Sequence, residues 1–375
     1  MFFRDVPGHE ALKNRLISQV QNQKIPHARL FLGPEGSGSL ALALAQIQYI
    51  HCLDRQPQDS CGKCAGCQKN LKFIHPDLHF SFPFTGSGKD DYCDLHLAEW
   101  RKTLANSPFM GLEEWQNVLH TENKQLNINI RECHEIVKKL SMKPFEAQFQ
   151  ILLLWRPEFL GKEGNSLLKI IEEPSARTLM LFVAENQEEI LPTLLSRMQL
   201  QKVTAYTDTE IAAWLETRES VDQDSASHFA FMCEGNLGKA IALSRGDVTD
   251  YRRLFTSWMA ACTSGDYLAI HTWVEGISRS GKDAPGREFR KNFIGFALKM
   301  MRESLLENEH AGTLARLGTN DDKLAWSHRL NLVTAEKITG LLEAGSYHIE
   351  RNANPRILFL DVSLNLHKIL TSGTA

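Results

Sequence analysis

Apolar residues at Leu12, Leu16, Ile17 and Val20 recur at helical spacing and predict a helix over residues 9–20. The short apolar run Ala28 to Leu32 ends at Gly33 and has the shape of a buried strand. A glycine-rich stretch, Gly33 to Gly38, follows as a loop, and the alanine- and leucine-rich stretch Leu40 to Ile50 as a helix. Further along, Ile130 to Leu140 reads as a helix and Phe149 to Leu154 as a strand with a continuous buried face. Glu163 to Glu173 reads as a helix stopped by Pro174. Thr178 to Ala184 is a second such strand, and Met198 to Val203 a shorter third. This alternation predicts an α/β domain with a mainly parallel sheet covered by helices on both faces.

The alternation fails between Thr85 and Asn123. That segment opens on Gly86, Ser87 and Gly88, then turns aromatic at Trp100, Phe109 and Trp115. An insertion with short helices of its own is expected, and its Cys93 and His96 are minor candidates for metal ligands. After Val203 strands are no longer predicted. Asp208 to Arg218 reads as a helix, and Gly235 to Ala240 as a turn into another. From Tyr251 onward the pattern is helical, through Lys291 to Leu306, Thr334 to Ala344 and Ile357 to Leu370, and suits a helix bundle.

A chain of 375 residues is too long for one ordinary core, so two or three domains are expected. Hydrophobic residues at 43% and charged residues at 23% are the mix of a globular protein. The net charge of −3 gives no bulk attraction to nucleic acid, so any DNA contact has to be local or shared with partner chains. The opening residues carry charge by Arg4 and lack the apolar run of a secretory signal. No apolar stretch approaches the roughly 18 residues of a membrane span. A cytoplasmic location is expected, where thiols stay reduced and a tight cysteine cluster reads as metal-binding.

Cys52, Cys61, Cys64 and Cys67 form such a cluster, spaced C-x8-C-x2-C-x2-C. A C-x2-C pair lets two thiolates reach one ion from a tight turn, and Gly62 and Gly66 permit the turn geometry. Four thiolates close a tetrahedral shell and leave no open position for water, so a structural zinc is expected, with His51 and His75 as spare ligands. The opposing reading, unligated or redox-active thiols, leaves reduced cysteines at a density that invites oxidation.

The glycine loop is informative for what it lacks. A Walker A loop reads G-x-x-x-x-G-K-[ST], its lysine reaching the phosphates and its hydroxyl binding Mg²⁺. Here Gly33, Gly36 and Gly38 frame the loop, but Ser39 stands where lysine belongs and Leu40 where the metal ligand belongs. The strand Gln150 to Leu154, in the place of Walker B, runs into Trp155 and Arg156 instead of a metal-holding aspartate. Glu158 lies past Pro157 and reads as a helix N-terminal residue. No ATP turnover and no Mg²⁺ are expected.

At this point the residues resemble a family. The stretch NSLLKIIEEP, Asn165 to Pro174, is similar to the N-x-L-L-K-x-x-E-E-P signature of bacterial clamp-loader subunits. The cysteine knuckle and the pair Ser196–Arg197 before a short strand fit the same pattern, with Met198 where cysteine is usual. With its degenerate loop, the chain resembles the delta-prime type of the DNA polymerase III clamp loader, strongly over residues 1–245. Beyond that only the helical character and the stretch Arg351 to Asp361 are similar. The resemblance implies an AAA+ α/β domain over 1–205, with the zinc module at 52–67 and the insertion at about 85–123. It further implies a helical lid over 206–246 and a helical collar over 247–375, through which five subunits assemble. The implied partners are gamma/tau ATPases and delta in a hetero-pentamer, with primed DNA and the sliding clamp reached through the complex. In that family the Ser-Arg pair supplies an arginine finger to ATP held by the adjacent subunit, which assigns the role to Arg197, with Ser196 beside it. Gly235 to Gly238 stands where active relatives carry a nucleotide-sensing arginine.

Two other readings stay open on the sequence. One is an active gamma/tau-type ATPase, against which Ser39 and Leu40 argue directly. The other is a zinc-stabilised nucleic-acid-binding protein, for which Lys63, Lys69 and Lys72 make too sparse a basic stripe.

Overall fold

A computed structural model describes residues 1–85, 91–120, 126–245, 251–279, 286–308 and 330–372. The chain divides into two compact units, Met1–Arg245 and Gly246–Ala375. The first is built on five parallel strands: β1 (Ala28–Leu32), β2 (Leu78–Ser81), β3 (Gln150–Trp155), β4 (Thr178–Ala184) and β5 (Gln199–Lys202). Their order across the sheet is β2-β3-β4-β1-β5, and every paired strand runs parallel to its neighbour. The helices of this unit are α1 (Glu10–Gln21), α2 (Ser39–His51), α3 (Ala65–Leu71), α4 (Leu97–Asn106), α5 (Leu112–Val118), α6 (Ile130–Leu140), α7 (Leu168–Glu172), α8 (Pro192–Leu195), α9 (Asp208–Arg218), α10 (Gln223–Cys233) and α11 (Leu237–Ser244).

The central strands read as continuous apolar runs because both faces are covered. Ile151, Leu153 and Trp155 of β3, with Leu179, Leu181 and Val183 of β4, join one core with α1, α2 and the insertion. The alternate residues, Leu152, Leu154, Met180 and Phe182, join the opposite core with Cys133, Ile136 and Leu140 of α6. The α/β fold class expected from the sequence, with helical segments following it, is the one present.

The sequence pattern passed over β2. It is a four-residue edge strand at the start of the alternating run Leu78, Phe80, Phe82 and Phe84, a period-2 signal interrupted by Pro83. The predicted helix over 163–173 is also not one helix. A 3-10 segment, Pro157–Leu167, contains Gly161 at φ 49°, ψ −138°, and only α7 is α-helical. Gly161 and Gly164 contribute little helix propensity, which lets the chain kink before α7.

The insertion has its predicted helices, α4 and α5, and is part of the core rather than an appendage. Trp100 stacks on Phe82 at 4.3 Å and meets Trp115 edge-on at 5.1 Å, while Trp115 donates its indole N–H to the Pro83 carbonyl at 2.7 Å. Cys93 is buried, donating to the Phe82 carbonyl, and belongs to no metal-competent group among the described residues. Residues 86–90 and 121–123 of the expected insertion lie outside the described residues.

The second unit is helical: α12 (Tyr251–Ser264), α13 (Tyr267–Ser278), α14 (Arg287–Asn308), α15 (Leu332–Glu350) and α16 (Pro355–Ser372). Trp258 stacks on Trp273 at 5.3 Å and donates to the Ser363 hydroxyl at 2.8 Å, tying α12, α13 and α16 around one aromatic core. Among the described residues no helix is long and apolar enough to cross a membrane.

Candidate functional site

The cysteine cluster is assembled by the end of α2, a turn, and the start of α3. The four sulfurs lie within 4.8 Å of one another, and all four thiols are free. Tetrahedral coordination by four thiolates at about 2.3 Å puts the sulfurs roughly 3.8 Å apart, so only small adjustments would close the shell. Gly62, at φ 75°, makes the turn between Cys61 and Cys64. Backbone N–H groups already point at the sulfurs: Leu53 and Cys67 donate to Cys64 at 3.4 Å, Cys64 to Cys61 at 3.4 Å, and Cys61 to Cys52 at 3.3 Å. Such donors stabilise thiolate charge. Burial opposes ionisation at Cys64, but these N–H groups outweigh it and bring its pKa down to about 7. Burial pushes the Cys52 and Cys67 thiols up. A divalent cation supplies the positive charge that lets all four ionise together. The cluster can hold a metal such as zinc.

The two histidines held in reserve are committed elsewhere. His51 bonds the Phe149 carbonyl at 3.0 Å and stacks on His75 at 4.1 Å, and burial lowers its pKa to about 4.

The glycine loop follows β1 and leads into α2, as its position in the sequence predicts. Gly36 and Gly38 have φ of 72° and 84°, a backbone that other residues resist. Ser39 is buried and its hydroxyl is taken up by Ser37 at 2.9 Å, while Leu40 points into the core. Arg156, at the end of β3, reaches across the loop: its Nη1 pairs with Glu185 at 2.5 Å, and its Nη2 lies 3.6 Å from Glu35. Burial raises Glu185 to about 7 against the pull of Arg156. Glu158 accepts the N–H groups of Glu185 at 2.6 Å and Asn186 at 3.0 Å through Oε1, so it braces the turn after β4. The remaining cavity, lined by the loop, Phe109, Met110 and Arg156, is about 20 Å³, room for one water.

Two residues that close this region were not singled out from the sequence. Glu35, inside the loop, accepts from the Asn236 amide at 3.1 Å and from the Leu112 N–H at 3.3 Å. Asn236 also caps α11 through Lys239 N–H at 3.0 Å. The turn into a helix was legible in residues 235–240, but the reach of Asn236 to Glu35, 201 positions away, was not.

Arg197 and Ser196 sit between α8 and β5. The Arg197 Nε donates to Glu172 at 2.5 Å, and its Nη1 to the Thr193 carbonyl at 2.7 Å and the Ser196 hydroxyl at 3.1 Å. Strand register fixes its height in the fold. Gln199 pairs with Arg29 near the start of β1, and Lys202 with Leu32 at its end, just before Gly33. Arg197 is therefore at the N-terminal edge of the sheet and the glycine loop at the C-terminal edge. The five residues of β1 separate them by roughly 16 Å.

The family described as DNA polymerase III, delta subunit, matches residues 8–206, more than half of the chain. The delta' subunit of Escherichia coli (strain K12) is 25% identical over 258 residues, covering 68% of this chain and 66% of that protein. The delta' subunit of Bacillus subtilis (strain 168) is 26% identical over 235 residues, covering 62% and 58%. A tau/gamma subunit of Haemophilus influenzae is 21% identical over 248 residues, covering 64% of this chain and 30% of that one. The matches thus span less than two thirds of these relatives' own length. The chain belongs to the DNA polymerase III delta' family of clamp-loader subunits.

Proposed function

We propose that this chain is the ATPase-silent subunit of a DNA polymerase III clamp loader, that it assembles with gamma/tau-type and delta-type subunits, and that it presents Arg197 to ATP bound by a neighbour. The observation that carries this reading is the separation of Arg197 from the chain's own glycine loop by the length of the sheet. An arginine at that edge cannot reach a phosphate held at the other, so any phosphate it meets belongs to another subunit. Loss of turnover is supported by three positions: Ser39 bonded to Ser37, Leu40 buried, and Arg156 paired with Glu185 where a metal would bind. In this reading the four cysteines hold one structural zinc, residues 206–246 form the lid, and 247–375 form the collar. The similarity to tau/gamma favours a second reading, an active ATPase. The same three positions argue against it. The test is reconstitution with the other clamp-loader subunits of the same cell, with phosphate release measured for the isolated chain. A stable complex and a silent isolated chain are expected. Turnover that follows the purified chain, or failure to co-purify with those subunits, would overturn the reading.

A further inference from the structure

The insertion has a part that its aromatic core does not explain. Trp100 and Trp115 anchor α4 and α5 to the sheet, but the residues that join the two helices turn away toward the glycine loop. Phe109 and Met110 are each 4% exposed and line the small cavity beside Gly36 and Arg156. The Leu112 N–H donates to Glu35 within the loop at 3.3 Å. The Phe109 ring meets Trp214 of α9 edge-on at 6.1 Å. Gly238 of α11 packs so closely under the Phe109 carbonyl that a Cβ there would lie 2.3 Å from its oxygen. One connection thus touches the glycine loop and two helices of the segment after β5. In an intact glycine loop of this kind the backbone N–H groups cradle phosphates in that same space.

We propose that residues 108–112 act as a built-in substitute for nucleotide, closing the relic site and holding the segment 208–244 in one orientation against the sheet. The chemistry of the seal fits this role. Two apolar side chains fill the space, and the positive charge a phosphate would need, on Arg156 and Lys239, faces the Glu35 carboxylate instead, at 3.6 Å and 4.0 Å. Glu35 is itself held by Asn236, and the Leu237 N–H donates to the Gly36 carbonyl at 3.2 Å, so the loop and the start of α11 are joined beside the plug. This inference rests on reading the glycine loop as a nucleotide relic.

Amide hydrogen exchange on the full chain tests it, with two variants. Phe109→Ala combined with Met110→Ala removes the plug, and the trunk tryptophans keep α4 and α5 folded. Gly238→Ala sets a Cβ against the Phe109 carbonyl and forces it and α11 apart, so faster exchange at 208–218 as well as 237–244 reports release of the whole segment rather than a change within α11. In the wild type, amides of 208–218 and 237–244 should exchange at the same rate with or without millimolar ADP. In either variant they should exchange faster by about tenfold or more. Unchanged exchange in both variants would overturn the inference, and so would slowing of wild-type exchange by ADP. Neither result touches the loss of turnover, which phosphate release measures separately.

Discussion

Substituting Arg197 separates a structural role from a catalytic one by magnitude. In the free chain its guanidinium pairs with Glu172, and the two side chains are 34% and 46% exposed. Exposed pairs of this kind contribute about 0.2–1 kcal/mol. Arg197→Ala should therefore cost no more than about 1 kcal/mol of stability and leave folding and assembly intact. If the guanidinium stabilises a γ-phosphoryl group in the adjacent subunit, the same change removes about 10³–10⁵ in rate at that site. At about 1.4 kcal/mol per decade that is roughly 4–7 kcal/mol, well beyond anything the Glu172 pair explains. Only the site facing this chain falls silent, so total hydrolysis drops by that site's share, while clamp loading suffers more if it requires every site. The assay is DNA-stimulated phosphate release and clamp loading by complexes reconstituted at matched stoichiometry. Arg197→Lys belongs in the series, since it keeps the charge without the planar fork and is expected to stay impaired. Equal clamp-loading rates for wild type and Arg197→Ala would remove Arg197 from the mechanism.

Elemental analysis should find about one zinc per chain, and Cys64→Ser should lose it along with thermal stability; stoichiometric zinc in the variant would refute the ligand set. Ser39→Lys should not restore ATP turnover, because Leu40 and Arg156 still deny a metal its ligands, and measurable phosphate release would contradict this. A chain ending at Arg245 should keep its zinc and fold, given the two compact units, yet fail to co-elute with partner subunits on size exclusion. Asp77 accepts three backbone N–H groups, from Phe145 at 2.5 Å, Glu146 at 2.9 Å and Ala147 at 2.7 Å. Burial alone would raise its pKa, but these donors outweigh it and lower it. The folded value is therefore below the unfolded one, so the stabilisation is full above the unfolded pKa and is lost as pH falls through the folded one. Asp77→Ala should cost about 1–3 kcal/mol at neutral pH and flatten the acid limb of a denaturant-derived stability profile; an unchanged limb would count against it.

What the sequence by itself determined is what depends on neighbours along the chain. Strand, loop and helix at Ala28 to His51 follow from local periodicity and turn chemistry. The cysteine knuckle follows from spacing, because four ligands within sixteen residues need no long-range contact to converge. The lost lysine and metal ligand could be read directly, since Ser39 and Leu40 are defined by their distance from Gly33. What only the tertiary structure decided is what joins distant segments. The edge strand β2 carries alternation at Leu78, Phe80, Phe82 and Phe84, but its place beside β3 and its end at Ser81 are set by pairing. Trp100 and Trp115 read only as the aromatic residues of an insertion, and their packing on Phe82 and Trp155 is a tertiary fact. Glu35 meets Asn236 across 201 residues, Arg197 meets Glu172 across 25, and the register of β1 and β5 sets Arg197 at the far edge from its own loop. Side-chain contacts of this kind depend on how the sheet orders its strands, and strand order is a property of the packed core rather than of any one stretch of sequence.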